Sequence, residues 1–254
     1  MPRRLKVLSI DWDYFFPDPS WYDWSHNEET NLFYEMIWST RPGNQNLMTG
    51  EVAHQCFVPD RKLLDGFWDR VLAPSYPLIY VCESHRTLGE ALAEITRPMD
   101  IWNFDQHHDL GYDDRKKMDC GNWAAHVLKQ NKRSKYNLVY PPWRGDKKNA
   151  EPSPSCKCQR TFLEPQGKIK PDVLFICRSS CWTPSWADEE WLEFLKPLEK
   201  IACGYPWRAR KTVEFVTKAR QPGKVAAARM AAEYEAMCRK MQEDRTAQVT
   251  AKPA

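Results

Sequence analysis

The sequence predicts an α/β fold with a mainly parallel sheet, on three observations. Short apolar runs recur at residues 5–10, 78–82, 100–104 and 172–176, each the length of a strand buried on both faces. Segments with helical spacing of apolar residues fall between them. Each run gives way to a polar cluster, as strands of a parallel sheet do where their carboxyl ends meet the loops that carry chemistry.

The elements follow in order. Residues 5–10 end in Asp11-Trp12-Asp13, which delivers two carboxylates at a strand end. Over residues 60–71, Leu63, Leu64, Phe67, Trp68 and Val71 recur at helical spacing. The run 78–82 leads into Glu83-Ser84-His85 and then a helical stretch from about residue 87 to 95. Residues 100–104 end in the dense polar cluster Asp105-Gln106-His107-His108-Asp109. Residues 141–170 are basic and proline-bearing, enclose Cys156 and Cys158, and have the length of a lid, a binding loop or an insertion. The last strand, 172–176, runs into Arg178-Ser179-Ser180. Residues 1–221 thus form the α/β domain. Beyond Pro222-Gly223, residues 224–245 read as one helix with an apolar stripe of Met230, Tyr234, Met237 and Met241, followed by a frayed tail. The stripe is expected to pack on the domain, with a homo-oligomeric seam as the alternative.

Composition narrows the function classes. In 254 residues, 37 Lys+Arg against 34 Asp+Glu leave a net charge of +3, so no global field demands a polyanion. With 42% hydrophobic and 28% charged residues, the chain is an ordinary globular one. Its longest uncharged stretch, residues 71–82, contains two prolines and falls well short of the roughly 20 apolar residues a membrane helix needs. Arg3, Arg4 and Lys6 resemble the start of a signal peptide, but Asp11 and Asp13 break the apolar run, and nine cysteines are an odd number; a cytoplasmic protein with reduced thiols is expected. The 12 tryptophans supply buried area and aromatic surface for a pocket mouth.

On extended backbone alternate residues point to one side, so Asp11 faces with Asp13, and Asp105 with His107 and Asp109. Neighbouring strand ends would gather these with His85 into four carboxylates and two imidazoles. That much negative charge in one small volume calls for cations. Oxygen-rich donors with two imidazoles suit Mn²⁺, with Fe²⁺, Co²⁺ or Zn²⁺ as substitutes.

These motifs resemble those of the arginase (ureohydrolase) superfamily. Asp105-Gln106-His107-His108-Asp109 matches its Asp-x-His-x-Asp motif, and Ser9-Ile10-Asp11-Trp12-Asp13 matches its Ser-x-Asp-x-Asp motif. More narrowly, Asp11-Trp12-Asp13-Tyr14-Phe15 is similar to the opening strand of an arginase-like branch, some members of which hydrolyse arginine side chains within peptides. The resemblance implies a three-layer αβα fold with permuted motif order, because Asp-x-Asp here precedes Asp-x-His-x-Asp. It implies two Mn²⁺ per chain bridged by Asp105 and Asp11, one completed by His85 and Asp109, the other by His107 and Asp13. Asp109 or Asp13 would accept a proton from water and pass it to a leaving amine. The substrate implied is a small molecule or peptide bearing a guanidino group. Asn122, within Asp119-Cys120-Gly121-Asn122-Trp123, is a candidate for orienting substrate or for a capping turn. His126 is a candidate proton shuttle or a structural histidine, and Glu83 a residue backing the metal ligands.

Three other readings compete. A single-zinc deacetylase-like amidohydrolase needs fewer carboxylates. A haloacid-dehalogenase-type phosphatase would use Asp11 as nucleophile and Asp13 as acid, but Phe15 stands where that family has Thr or Val, and residues 105–109 are left unexplained. A non-enzymatic nucleic-acid binder would use the basic segment of Arg208, Arg210, Lys211, Lys218 and Arg220 beside Trp207, charges that a solvated helix face explains as well. Cys156 and Cys158 lack a second pair and are assigned no zinc.

Overall fold

Of the seven residues Leu5–Asp11 that form strand β1, only Lys6 is exposed, which puts this strand in the middle of a sheet covered on both faces. In a computed structural model, which describes residues 3–17, 58–111, 116–144 and 158–201, β1 does lie at the centre. The other strands are β2 (Leu78–Cys82), β3 (Met99–Phe104), β4 (Lys135–Val139), β5 (Gln159–Thr161) and β6 (Val173–Cys177). They run in the order β2-β6-β1-β3-β4-β5, with every pairing parallel. In register, Leu5 to Ile10 pair with Met99 to Phe104 on one side of β1, and Val7 to Asp11 pair with Val173 to Cys177 on the other.

Period-two alternation splits the core into two layers. Leu8, Ile10, Phe104, Val139, Leu174 and Ile176 face one way. There they meet helices α1 (Arg61–Leu64), α2 (Phe67–Val71), α5 (Asp188–Leu195) and α6 (Leu198–Ile201). Val7, Met99, Ile101, Leu138, Phe175 and Cys177 face the other way, against α3 (His85–Ala93) and α4 (Trp123–Gln130). The molecule is therefore a three-layer α/β fold with an all-parallel sheet.

Several tryptophans belong to this core. Trp12 packs within 5.3 Å of Trp191 and 5.2 Å of Phe194, and Trp68 stacks on Phe194 at 4.6 Å while its indole N–H donates to the Phe194 carbonyl. The helix expected over residues 60–71 is two short helices, because Gly66 between them takes a left-handed φ of 67° that ends one and starts the next. The helix expected from about residue 87 begins earlier, at His85, because the Ser84 hydroxyl accepts from the Arg86 N–H as an N-cap. The segment expected as a loop over 141–170 contributes β5 to the sheet edge. Its residues 145–157, the basic segment around Trp207 and the expected C-terminal helix lie outside the described residues. No helix among the described residues is long and apolar enough to cross a membrane.

Candidate metal centre

Strands β1 and β3 are neighbours, yet the chain leaves β1 toward β2 and leaves β3 toward β4, on opposite sides of the pair. The ends of such a pair open into a crevice, the usual ligand position in an open parallel sheet. Asp11 is the last residue of β1, and Asp105 follows directly on β3.

Asp13 does not reach the crevice by strand alternation. The backbone bends into a 3₁₀ turn at Trp12–Phe15, capped by Asp11, whose Oδ1 accepts the Asp13 N–H at 2.9 Å. Past β3 the chain likewise leaves the extended state. Asp105 Oδ1 accepts the His107 N–H at 2.7 Å, His108 Nδ1 accepts from the Leu110 N–H, and Asp109 takes a left-handed φ of 53°, uncommon for a residue other than glycine. His85 arrives at the N-terminus of α3 from β2, two strands from β1.

These devices bring all six predicted ligands together. His85 Nδ1 lies 3.1 Å from Asp11 Oδ2, 3.3 Å from Asp109 Oδ2 and 3.5 Å from Asp105 Oδ2. His107 Nδ1 lies 3.0 Å from Asp13 Oδ2 and 3.6 Å from Asp105 Oδ1. The donors group into the sets Asp13, Asp105, His107 and His85, Asp105, Asp109, each with ligand atoms within 4.8 Å of one another and able to hold a metal ion. Asp105 belongs to both, with one oxygen toward each imidazole. Asp11 groups with His85 and with Cys177. His107 is the open member, its side chain 26% exposed, while the others are buried.

The surrounding residues fix each donor. The Trp123 indole N–H donates to Asp109 Oδ2 at 2.6 Å, the Asn103 amide to Asp105 Oδ2 at 2.9 Å, and the Ser179 hydroxyl to Asp11 Oδ2 at 2.7 Å. His85 Nε2 shares a hydrogen bond with Ser9 Oγ at 2.8 Å, and the imidazole stacks between Trp123 and Phe175. Ser179, like Asp109, has a left-handed φ, here 50°. Partners of this kind set the orientation of metal ligands.

The electrostatics are those of crowded, buried carboxylates. Burial pushes Asp13 well above the usual carboxylate range, helped by the charges of Asp11 and Asp105. Burial and then Asp105 do the same to Asp109. For Asp11 burial acts upward, but the His85 hydrogen bond and charge, the Asp13 N–H and the Ser179 hydroxyl outweigh it and hold the group low. Burial would lower His107, and its contacts with Asp105 and Asp13 overcome that and raise it. Both oxygens of Asp13 are buried without a well-directed hydrogen bond, although Oδ2 touches His107. A buried carboxylate oxygen left without a partner, as Oδ1 of Asp13 is, is costly in an apolar interior, and a cation suits it.

Of the two remaining catalytic candidates, one closes a turn and the other stands on a helix outside the donor sets. Asn122 Oδ1 accepts the Asp119 N–H at 2.8 Å and its amide donates to the Lys117 carbonyl at 3.0 Å, so its polar atoms close the turn before α4. His126 lies on α4 and forms no ion pair with the carboxylate cluster, nor does it enter a metal-holding set among the described residues. Glu83 accepts from the hydroxyl of Ser180, the residue after the Ser179 that holds Asp11. Ser179, Asn103 and Cys177 also belong to the site, with no sequence motif to mark them. Trp182, 5.0 Å from His107 between ring centroids, sits beside the open side of the cluster.

No protein-family model matches the chain, and neither the curated proteins nor the solved structures contain a match.

Proposed function

We propose that the protein is a binuclear metal-dependent hydrolase of a guanidino C–N bond, acting on arginine side chains with release of urea. The observation that carries this reading is the division of Asp105, one carboxylate oxygen toward His85 and the other toward His107. A single carboxylate between two imidazole-carboxylate sets is the arrangement of a bridging ligand. Four carboxylates at one strand edge favour this over a single-zinc amidohydrolase, and the gathering of Asp105, His107 and Asp109 with them favours it over a phosphatase built on Asp11 and Asp13.

His85, Asp11, Asp105 and Asp109 would hold one cation, and His107, Asp13 and Asp105 the other; Asp11, expected as a second bridge, groups among the described residues with His85 and not with His107. The donor set suits Mn²⁺, with Fe²⁺, Co²⁺ or Zn²⁺ as substitutes. When bound, such ions neutralise the carboxylates and lower the pKa of a water at the site toward neutrality. The protein's own residues do the rest. Asp109 or Asp13 accepts the water's proton and returns it to the departing amine. Trp182, beside the partly exposed His107, offers an aromatic face along the approach, where a guanidinium can stack. A preference for arginine within peptides is supported by the resemblance to the peptide-acting branch.

The test is urea and ornithine formation with Mn²⁺ from arginine, agmatine and arginine-containing peptides, beside a His107→Ala control. Urea release that is highest with peptides and lost in the control is expected. Metal-loaded protein that turns over none of these would end the substrate assignment, and turnover unchanged in His107→Ala would end the mechanism.

A further inference from the structure

Strand register sets Cys177, the last residue of β6, directly beside Asp11, the last residue of β1. In-register residues share a face of the sheet, here the face covered by α3, whose first residue is His85. The Cys177 sulfur, an Asp11 carboxylate oxygen and a His85 ring nitrogen lie within 4.8 Å of one another, and all three residues are buried. A buried free cysteine ordinarily behaves as a small hydrophobe. This one has polar neighbours: Sγ donates to the Glu83 carbonyl at 3.4 Å and lies 3.5 Å from the Ser179 hydroxyl, which itself donates to Asp11. The neighbouring Asp13 belongs to the His107 set of the same cluster, and its buried Oδ1 has no hydrogen-bond partner.

We infer that Cys177 is a sulfur ligand to the cation held by Asp11 and His85, which makes the two halves of the centre chemically unequal. This rests on the reading that the cluster holds cations. Thiolate favours thiophilic ions such as Zn²⁺, Co²⁺ or Fe²⁺, whereas Asp13, Asp105 and His107 offer only oxygen and nitrogen and suit Mn²⁺. On binding, the Cys177 S–H bond breaks, a sulfur–metal bond forms from the freed electron pair, and the proton leaves to solvent; no electron is transferred. The native centre would then be mixed, with a softer ion on the His85 side and a harder one on the His107 side.

The full-length protein is loaded with Co²⁺ and its near-ultraviolet spectrum recorded beside that of Cys177→Ser, with Cys120→Ser as the control at a partly exposed cysteine. A thiolate-to-cobalt charge-transfer band is expected in the unsubstituted protein and in Cys120→Ser, and absent in Cys177→Ser. The preference for Zn²⁺ over Mn²⁺ on that side should fall at least about tenfold in Cys177→Ser. Zinc-edge X-ray absorption of the unsubstituted protein gives an answer even if the variant fails to fold, with a sulfur scatterer expected at about 2.3 Å. Bound cobalt without the band, a band that survives Cys177→Ser, or a zinc shell of nitrogen and oxygen alone would overturn the sulfur ligand and leave the cation centre standing. No uptake of either ion would overturn both.

Discussion

Trp123 shows how a residue with no metal-binding atom governs the site. Its indole N–H holds Asp109 Oδ2 at 2.6 Å while its ring stacks on His85. Trp123→Phe keeps most of the stacking surface and removes the hydrogen bond. It is therefore expected to weaken metal binding on the His85 side by about 10–100-fold with little loss of folding, measured by competition with a chromophoric chelator. Unchanged affinity would mean that Asp109 is held by its left-handed backbone alone. At this scale the six ligand candidates were legible, because each lies in a polar cluster just past an apolar run. The route by which they converge was not. Alternation suggested that Asp11 and Asp13 share a side of a strand, whereas a capped 3₁₀ turn aims Asp13. Ser179 was illegible as the Asp11 partner because the two are 168 residues apart and meet only once β6 lies against β1.

Helices α3 and α4 carry His85 and Trp123, and Gly89 lets them approach. A Cβ at Gly89 would stand 2.6 Å from Met118 Sδ and 2.7 Å from Trp123 Cβ. The methionine end can swing aside, but the tryptophan Cβ is anchored to the start of α4. Gly89→Ala is expected to cost about 1–3 kcal/mol by overpacking, despite alanine's higher helix propensity, and to weaken metal binding by displacing Trp123. Urea denaturation with parallel metal titration checks both effects, and a stabilised variant would contradict the close approach. Among the elements, β1, β2, β3 and β6 were legible as apolar runs. β4 was missed because Lys135 and Asn137 interrupt its pattern, and Asn137 is satisfied only by reaching Asp100 and Ile101 on β3. β5, three residues inside a proline-bearing loop, is a strand only because β4 is there to pair with it.

For the whole molecule, the centre ties folding to charge. Asp13 and Asp109 have carboxyl groups raised by burial and by neighbouring carboxylates. Such groups bind more protons folded than unfolded, so they stabilise the ion-free protein at acid pH. That stability is lost as pH rises from the ordinary carboxylate value of 3.8 through their raised values. His107, also raised, contributes below the ordinary 6.5 and loses its contribution as pH climbs through its own raised value. Asp11, held low, acts in the opposite sense: its contribution is present above 3.8 and lost as pH falls through its depressed value. Chelated protein is therefore expected to melt at a lower temperature at about pH 8 than at about pH 5. Metal-loaded protein should show the reverse, because cations displace those protons, with roughly 2.7 kcal/mol of added stability at one hundred times the dissociation constant. Melting curves with and without chelator at the two pH values test this, and matching profiles would contradict a centre built to be neutralised by cations.

Asp105 is proposed to join two cation sites, a claim that counting bound metal checks without intermediaries. Protein purified without chelator and loaded with Mn²⁺ is desalted, and the metal per chain is counted for the unsubstituted protein, Asp105→Ala and His107→Ala. Two ions are predicted in the unsubstituted protein, none in Asp105→Ala because both spheres lose a donor, and one in His107→Ala because the His85 side keeps its own donors. Full metal content in Asp105→Ala would contradict the claim.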